Sequence, residues 1–168
     1  MLRARIVLIG IGNEYRHDDG AAVAVMAELA AEDIPVDRIT LCDGEPTRLM
    51  ELWENADLAI VVGAVPGHPG QPGRIHEVAV FPDREGDPLA ESSAAAGIHG
   101  LGLGHAVALA SALGQLPREL LIVAVEGADF SLGEGLSQAV AEAVPRVVSL
   151  IRGVVAGHRA GLDGEALP

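Results

Sequence analysis

Ile6-Val7-Leu8-Ile9-Gly10-Ile11-Gly12-Asn13-Glu14-Tyr15-Arg16-His17-Asp18-Asp19-Gly20 decides how this chain folds. Its first four residues form a short, continuous, largely β-branched run, the pattern of a strand buried on both faces of a parallel sheet. Glycines then make a tight turn. Ala, Val, Met and Leu fill Asp19–Ala31 as a helix that Asp18 or Asp19 can cap. Such a turn sits at the carboxyl end of a strand, where open α/β folds bind ligands. Two adjacent carboxylates there can cap a helix, repel anions, or bind a hard metal ion.

Outward from this stretch, apolar runs alternate with helical ones. Arg38–Cys42 reads as a second strand leading into Asp43-Gly44-Glu45, and Pro46 opens a helix through Trp53, where proline suits the first turn. Leu58–Val62 is a third buried strand, and Arg74–Val80 alternates as a further one. Residues 82–97 are small, polar and irregular, and are expected to be mobile. A helix follows from about His99 to Leu113, then a strand over Leu120–Val125. The last helix covers roughly Ser137–Gly157, and Pro145 should kink it.

This order predicts an α/β fold: a three-layer α/β/α sandwich with a mostly parallel five-stranded sheet and right-handed crossovers. No linker or repeat divides the chain, so a single domain is expected over 1–168, with its core at about 4–157. Gly10–Gly20, Asp43–Glu45, Gly63–Val65 and Glu126–Asp129 then fall at carboxyl ends of strands and line one edge of the sheet.

Composition narrows the class. With 168 residues, 49% hydrophobic and only 2% aromatic, the chain must build its core from Ala, Val, Leu and Ile. The net charge is −13 and all 11 basic residues are Arg, so the surface repels phosphate backbones and a nucleic-acid partner is not expected. Cys42 is the single cysteine, which excludes a disulfide framework and Cys-rich metal sites. Arg3 and Arg5 precede an apolar run too short for a signal peptide or membrane span. A cytoplasmic monomer without membrane association is expected.

Two kinds of site compete for the opening loop. Gly10-x-Gly12 and Asp43 begin a dinucleotide fingerprint, but Tyr15 stands at the third glycine, and two carboxylates crowd the place a pyrophosphate would take. A metal site is the alternative, since a carboxylate from Asp18 or Asp19 with the imidazole of His99 suits nickel or zinc. Spacing alone leaves Asp19 equally readable as a helix cap and His99 as a structural histidine. His105 lies roughly 240° around a helix from His99, so it reads as structural. His76 and His158 read as surface residues. There is no His-Glu-x-x-His, no Gly-x-Ser-x-Gly and no Cys–His pair, so standard zincins and serine or cysteine proteases are not supported, and no residue marks itself as a nucleophile.

Taken together, Gly10-Ile11-Gly12-Asn13 with Asp18-Asp19-Gly20, Asp43-Gly44, Ser92-Ser93 ahead of Ile98-His99-Gly100-Leu101, and Val125-Glu126-Gly127-Ala128-Asp129-Phe130-Ser131 with Gly135-Leu136-Ser137 resemble the nickel–iron hydrogenase maturation proteases. The resemblance spans about residues 6–150. It implies a cytoplasmic endopeptidase of aspartic type that removes a C-terminal extension from the hydrogenase large-subunit precursor after nickel insertion, sensing nickel carried by that substrate; a surrogate divalent metal can stand in. It implies that Asp19 and His99 contact metal and take part in catalysis, through metal-polarised water or through Asp19 as general base.

The third metal position of the family is an aspartate following the third strand, in Val-Val-Asp-Ala-Val. Here the stretch is Val61-Val62-Gly63-Ala64-Val65, so the side-chain ligand at Gly63 is missing. Water, Glu45 or His68 are partial substitutes, with His68 the better placed. Gly63 also raises the alternative of a precursor- or nickel-binding homologue with impaired cleavage.

Overall fold

The computed structural model describes residues 3–67, 70–90 and 92–165. Five strands form one sheet: β1 (Ile6–Ile11), β2 (Arg38–Cys42), β3 (Leu58–Pro66), β4 (Ile75–Val80) and β5 (Glu119–Gly127). Their order is β2-β1-β3-β5-β4, parallel except for β4, which runs antiparallel to β5 at the edge. The predicted three-layer α/β/α sandwich with a mostly parallel five-stranded sheet is the observed architecture.

The apolar runs are continuous because both sheet faces are covered. Val7, Ile9 and Ile11 pack with α2 (Pro46–Trp53), α3 (Ala95–Gly100) and α4 (Leu103–Leu113), burying Leu49, Leu52, Trp53, Ile98, Leu103 and Ala106. Ile6 and Leu8 face α1 (Ala21–Ala31) and α5 (Gln138–Glu165), meeting Val25, Met26, Leu29, Val144, Val147 and Ile151. Side chains alternate across a strand, so six residues of β1 serve both layers. The edge strand β4 keeps the alternation read in the sequence, burying His76, Val78 and Val80.

Connections leave β1 toward β2 on one side and return to β3 on the other. The β1/β3 boundary is therefore the topological switch point, and a crevice opens beyond the carboxyl ends of these strands.

Several boundaries differ from expectation. The expected helix at Asp19 begins instead with a single 3-10 turn, His17–Gly20, and α1 starts at Ala21 with no side-chain cap. Neither aspartate caps it, because both carboxylates are engaged by other loop amides. Strand β3 continues past Val62 to Pro66, since β5 offers it partners as far as Gly127; Gly63 therefore lies inside the strand, paired with Ile11 and Ala124. The single helix expected from His99 is two helices, broken at Leu101 and at Gly102, whose φ of 85° is left-handed. Residues 82–90 and 92–94 are irregular as expected, but Leu89 and Ala94 are buried and pin the segment to the core. Helix α5 continues through Pro145.

Candidate active site

Two loops at the carboxyl edge are fastened to each other. His17 N–H donates to the Gly133 carbonyl at 2.8 Å, Asp18 N–H to Asp129 at 2.9 Å, and Gly133 N–H returns to Tyr15 at 2.8 Å. The centre of this clasp is Asp18, which is fully buried. Its carboxylate accepts three amides and a hydroxyl: Ala128 N–H at 2.7 Å, Asp129 N–H at 3.0 Å, Ser137 N–H at 2.7 Å and Ser137 Oγ–H at 2.9 Å. Burial alone would raise the carboxyl pKa, but these four donors outweigh it and hold Asp18 below the ordinary aspartate value. Asp18 is an anchor between two motifs, not a ligand.

Asp19 is the acid that faces open space. It lines a cavity of about 560 Å³ with Arg16, Ala64, Pro66, Ser93, Leu101 and Phe130. A smaller adjoining cavity of about 350 Å³ brings it beside Asn13 and Asp43. Its Oδ2 accepts the Asn13 N–H at 3.0 Å, and the same amide reaches the Asp19 carbonyl at 3.1 Å. Gly12 makes this closure possible, because a Cβ there would run into the Asp19 carbonyl. Partial burial raises the Asp19 pKa; the Asn13 amide and the Arg16 charge oppose that without cancelling it. The two neighbouring acids are thus shifted in opposite directions.

Of the other positions singled out from the sequence, Asp43 shares the smaller cavity with Asp19, while Gly63, His99 and Glu45 line neither cavity. Gly63 is covered by Leu101, whose Cδ1 would lie 2.6 Å from an added Cβ. His99 is exposed and lines a different cavity, of about 450 Å³, with Arg84, Leu89, Gly104 and Val107. Its ring lies over Gly104, where any side chain would collide with it. Glu45 caps α2, accepting Thr47 N–H at 3.1 Å and Arg48 N–H at 2.9 Å. Asp43 accepts the Glu45 amide at 3.0 Å on the wall of the smaller cavity. His68 lies outside the described residues. Among the described residues, no three His, Cys, Asp or Glu side chains gather as a metal-holding cluster.

His76, expected at the surface, is only 9% exposed. The reason is its register: on β4 it pairs with Ala124 of β5 and faces the end of that strand. There its Nε2 lies 3.0 Å from Oε1 of buried Glu126. Glu126 Oε2 accepts the Gln71 N–H at 2.8 Å. Burial works to raise the Glu126 pKa, but His76 and the Gln71 amide prevail and lower it. On its other side, His76 Nδ1 lies 3.4 Å from Ser93 Oγ. Ser93 also lines the cavity that holds Asp19. The burial of alternate residues in β4 was the available signal; without the β4–β5 register it names neither partner.

Comparison with known proteins gives the family and supports the fold. A family model described as hydrogenase maturation protease matches residues 23–154. The fold is similar to that of the hydrogenase maturating endopeptidase HybD from Escherichia coli, with 20% identity over 92% of this chain and 93% of that one and a TM-score of 0.73. It is likewise similar to the nickel–iron hydrogenase maturation protease HycI from Thermococcus kodakarensis, with 24% identity, coverage of 91% and 93%, and a TM-score of 0.64. No curated protein sequence matches significantly. The chain belongs to the hydrogenase maturation protease family, a family of peptidases.

Proposed function

We propose that this protein is the endopeptidase that trims the C-terminal extension of a nickel–iron hydrogenase large-subunit precursor once nickel has been inserted, acting as a cytoplasmic monomer. The observation that carries this reading is Asp19. Within a chain of this family, it is an acid facing the cavity beyond the β1/β3 switch point. Its Oδ2 is engaged by Asn13, while the described residues place no donor on Oδ1.

Nickel enters this scheme as part of the substrate. A precursor that presents its metal at the cavity meets the Asp19 carboxylate, and a carboxylate oxygen is a suitable donor for such an ion. A precursor without metal offers Asp19 no cation to hold. Arg16, on the same cavity wall, gives the tail a positive group to meet; its Nε donates to the Phe130 carbonyl at 3.2 Å and so fixes its reach. The exposed side chains of Tyr15 and Leu132, on the two fastened loops, offer apolar contacts to the precursor body.

One observation favours a second reading. Leu101 occupies the space an aspartate would need at Gly63, so this chain has fewer metal donors than the family pattern supplies. That favours a homologue that binds the precursor and cleaves it poorly.

The test is incubation with nickel-loaded and nickel-free precursor, following the mass of the large subunit. Shortening of the loaded form alone, lost in Asp19→Asn, is the expected result. Binding of the loaded precursor with no shortening establishes the second reading. Equal cleavage of both forms rules out nickel sensing.

A further inference from the structure

We propose that Tyr15 and Leu132 form a docking ridge for the folded body of the precursor, and that the patch they meet is apolar with a basic surround. The identity of the partner rests on the protease reading above. The ridge itself rests on exposure and geometry.

Folding leaves two large apolar side chains in water on these loops. Tyr15 is 57% exposed and Leu132 84%, the highest value among the exposed large hydrophobic residues described. A single exposed leucine needs no explanation. Here two such residues, far apart in the chain, are brought together. A parallel bridge joins Arg16 to Gly133, made by Gly133 N–H on the Tyr15 carbonyl and His17 N–H on the Gly133 carbonyl. In that register the residues one step earlier, Tyr15 and Leu132, are neighbours across the bridge.

The backbone on each side of the ridge is fixed. Tyr15 N–H donates to Asn13 Oδ1 at 2.9 Å, and Ser131 N–H and Oγ–H donate to Asp129 Oδ1 at 2.9 and 2.6 Å. Gly133 has no room for a side chain, because a Cβ there would strike the His17 ring. A contact surface held in place before binding loses little conformational freedom when it is covered.

Position says what covers it. Tyr15 adjoins Arg16 and Leu132 stands two residues from Phe130, and both Arg16 and Phe130 line the Asp19 cavity. Nickel already inserted into the precursor is held by its folded part. A metal–carboxylate bond is only about 2 Å long, so that folded part must come to the rim while the tail enters the cavity. The surface beside the rim is then covered by the precursor body. Charge sets the character of the partner patch. Glu14, Asp129 and Glu134 are exposed acids around the ridge, in a chain of net charge −13, so Lys or Arg on the precursor complements them.

The experiment measures the Kd of nickel-loaded precursor by biolayer interferometry, and its cleavage kinetics by mass, for Tyr15→Ser, Leu132→Ser and the double variant. Each single substitution should weaken binding about 10-fold, and the double about 50-fold or more. KM should rise with kcat unchanged, the mark of a contact made equally in the ground and transition states. Added salt should weaken binding by the unmodified protein, and Glu14→Lys with Glu134→Lys should weaken it at low salt. Leu113→Ser removes a side chain that is 57% exposed at the end of α4 and should bind as the unmodified protein does. Both ridge side chains are exposed, so their variants should unfold at the unmodified temperature.

Unchanged Kd and KM in the double variant overturn the ridge and leave the protease reading standing. Ridge-dependent binding with no cleavage by the unmodified protein upholds the ridge and rejects the endopeptidase. A fall in kcat at constant KM overturns docking as the role of these residues. Tighter binding by the lysine variants overturns the basic surround. A dimer seen in sedimentation without precursor, and lost in Leu132→Ser, assigns the ridge to a second copy of this chain and overturns the proposal.

Discussion

Two buried acids, Asp18 and Glu126, stand at the same edge of the sheet and solve the cost of burial differently. A buried carboxylate must be hydrogen-bonded, or its charge is expensive. Asp18 is satisfied by loop amides and one hydroxyl, which carry no charge at ordinary pH. Glu126 takes one amide and one imidazole, and the imidazole's far nitrogen faces a serine. Asp18 thereby fastens two loops through their backbones, whereas Glu126 ties the edge strand β4 and the turn before it to the end of β5 through one side chain and one amide.

The largest expected effect breaks the first half of this contrast. Asp18→Ala leaves three amides and a hydroxyl unmatched and should cost about 3–5 kcal/mol in chemical denaturation. A loss below about 1 kcal/mol would mean the clasp between the loops is not an anchor. Next comes the plugged third metal position. Gly63→Asp pushes on Leu101 and should cost about 1–3 kcal/mol. Gly63→Asp with Leu101→Ala should recover part of that and gain nickel affinity by titration calorimetry; unchanged affinity would show that position 63 does not reach the Asp19 cavity.

Acid titration sharpens the comparison further. Because the Asp18 pKa is lowered on folding, its contribution is present above the ordinary aspartate value and is lost as pH falls through the lowered one. Asp18→Asn should remove that limb of the stability–pH curve. Asp19 has the opposite sign: its pKa is raised, so its contribution is full below the ordinary value and is lost as pH rises through the raised one. The smallest effect follows from this. Asp19→Asn should change stability at neutral pH by no more than about 0.5 kcal/mol while abolishing precursor cleavage. A large stability loss would make Asp19 a second anchor.

The layers and the carboxyl edge were legible because they follow from periodicity: β-branched runs, a glycine turn, a helix opened by Pro46. Asp19 was legible as a pair with Asp18, and the resemblance chose between them. What stayed hidden depends on contacts between distant strands. The β4–β5 register turned His76 from a surface residue into a buried partner of Glu126. The Gly102 break turned one expected helix into two, separating His99 from Asp19 and laying Leu101 over Gly63. Alternation shows which face a residue takes but not which residue it will meet.

Asp18 also carries a consequence in time. Its partners lie 110, 111 and 119 residues further along the chain. As synthesis proceeds, the first loop emerges early and then waits for the end of β5 and the start of α5. Until those arrive, a nascent chain holds its glycine turn without the fastening that shapes the cavity wall. The part of the site made first is closed last, so a partly synthesised protease has no formed site with which to cut.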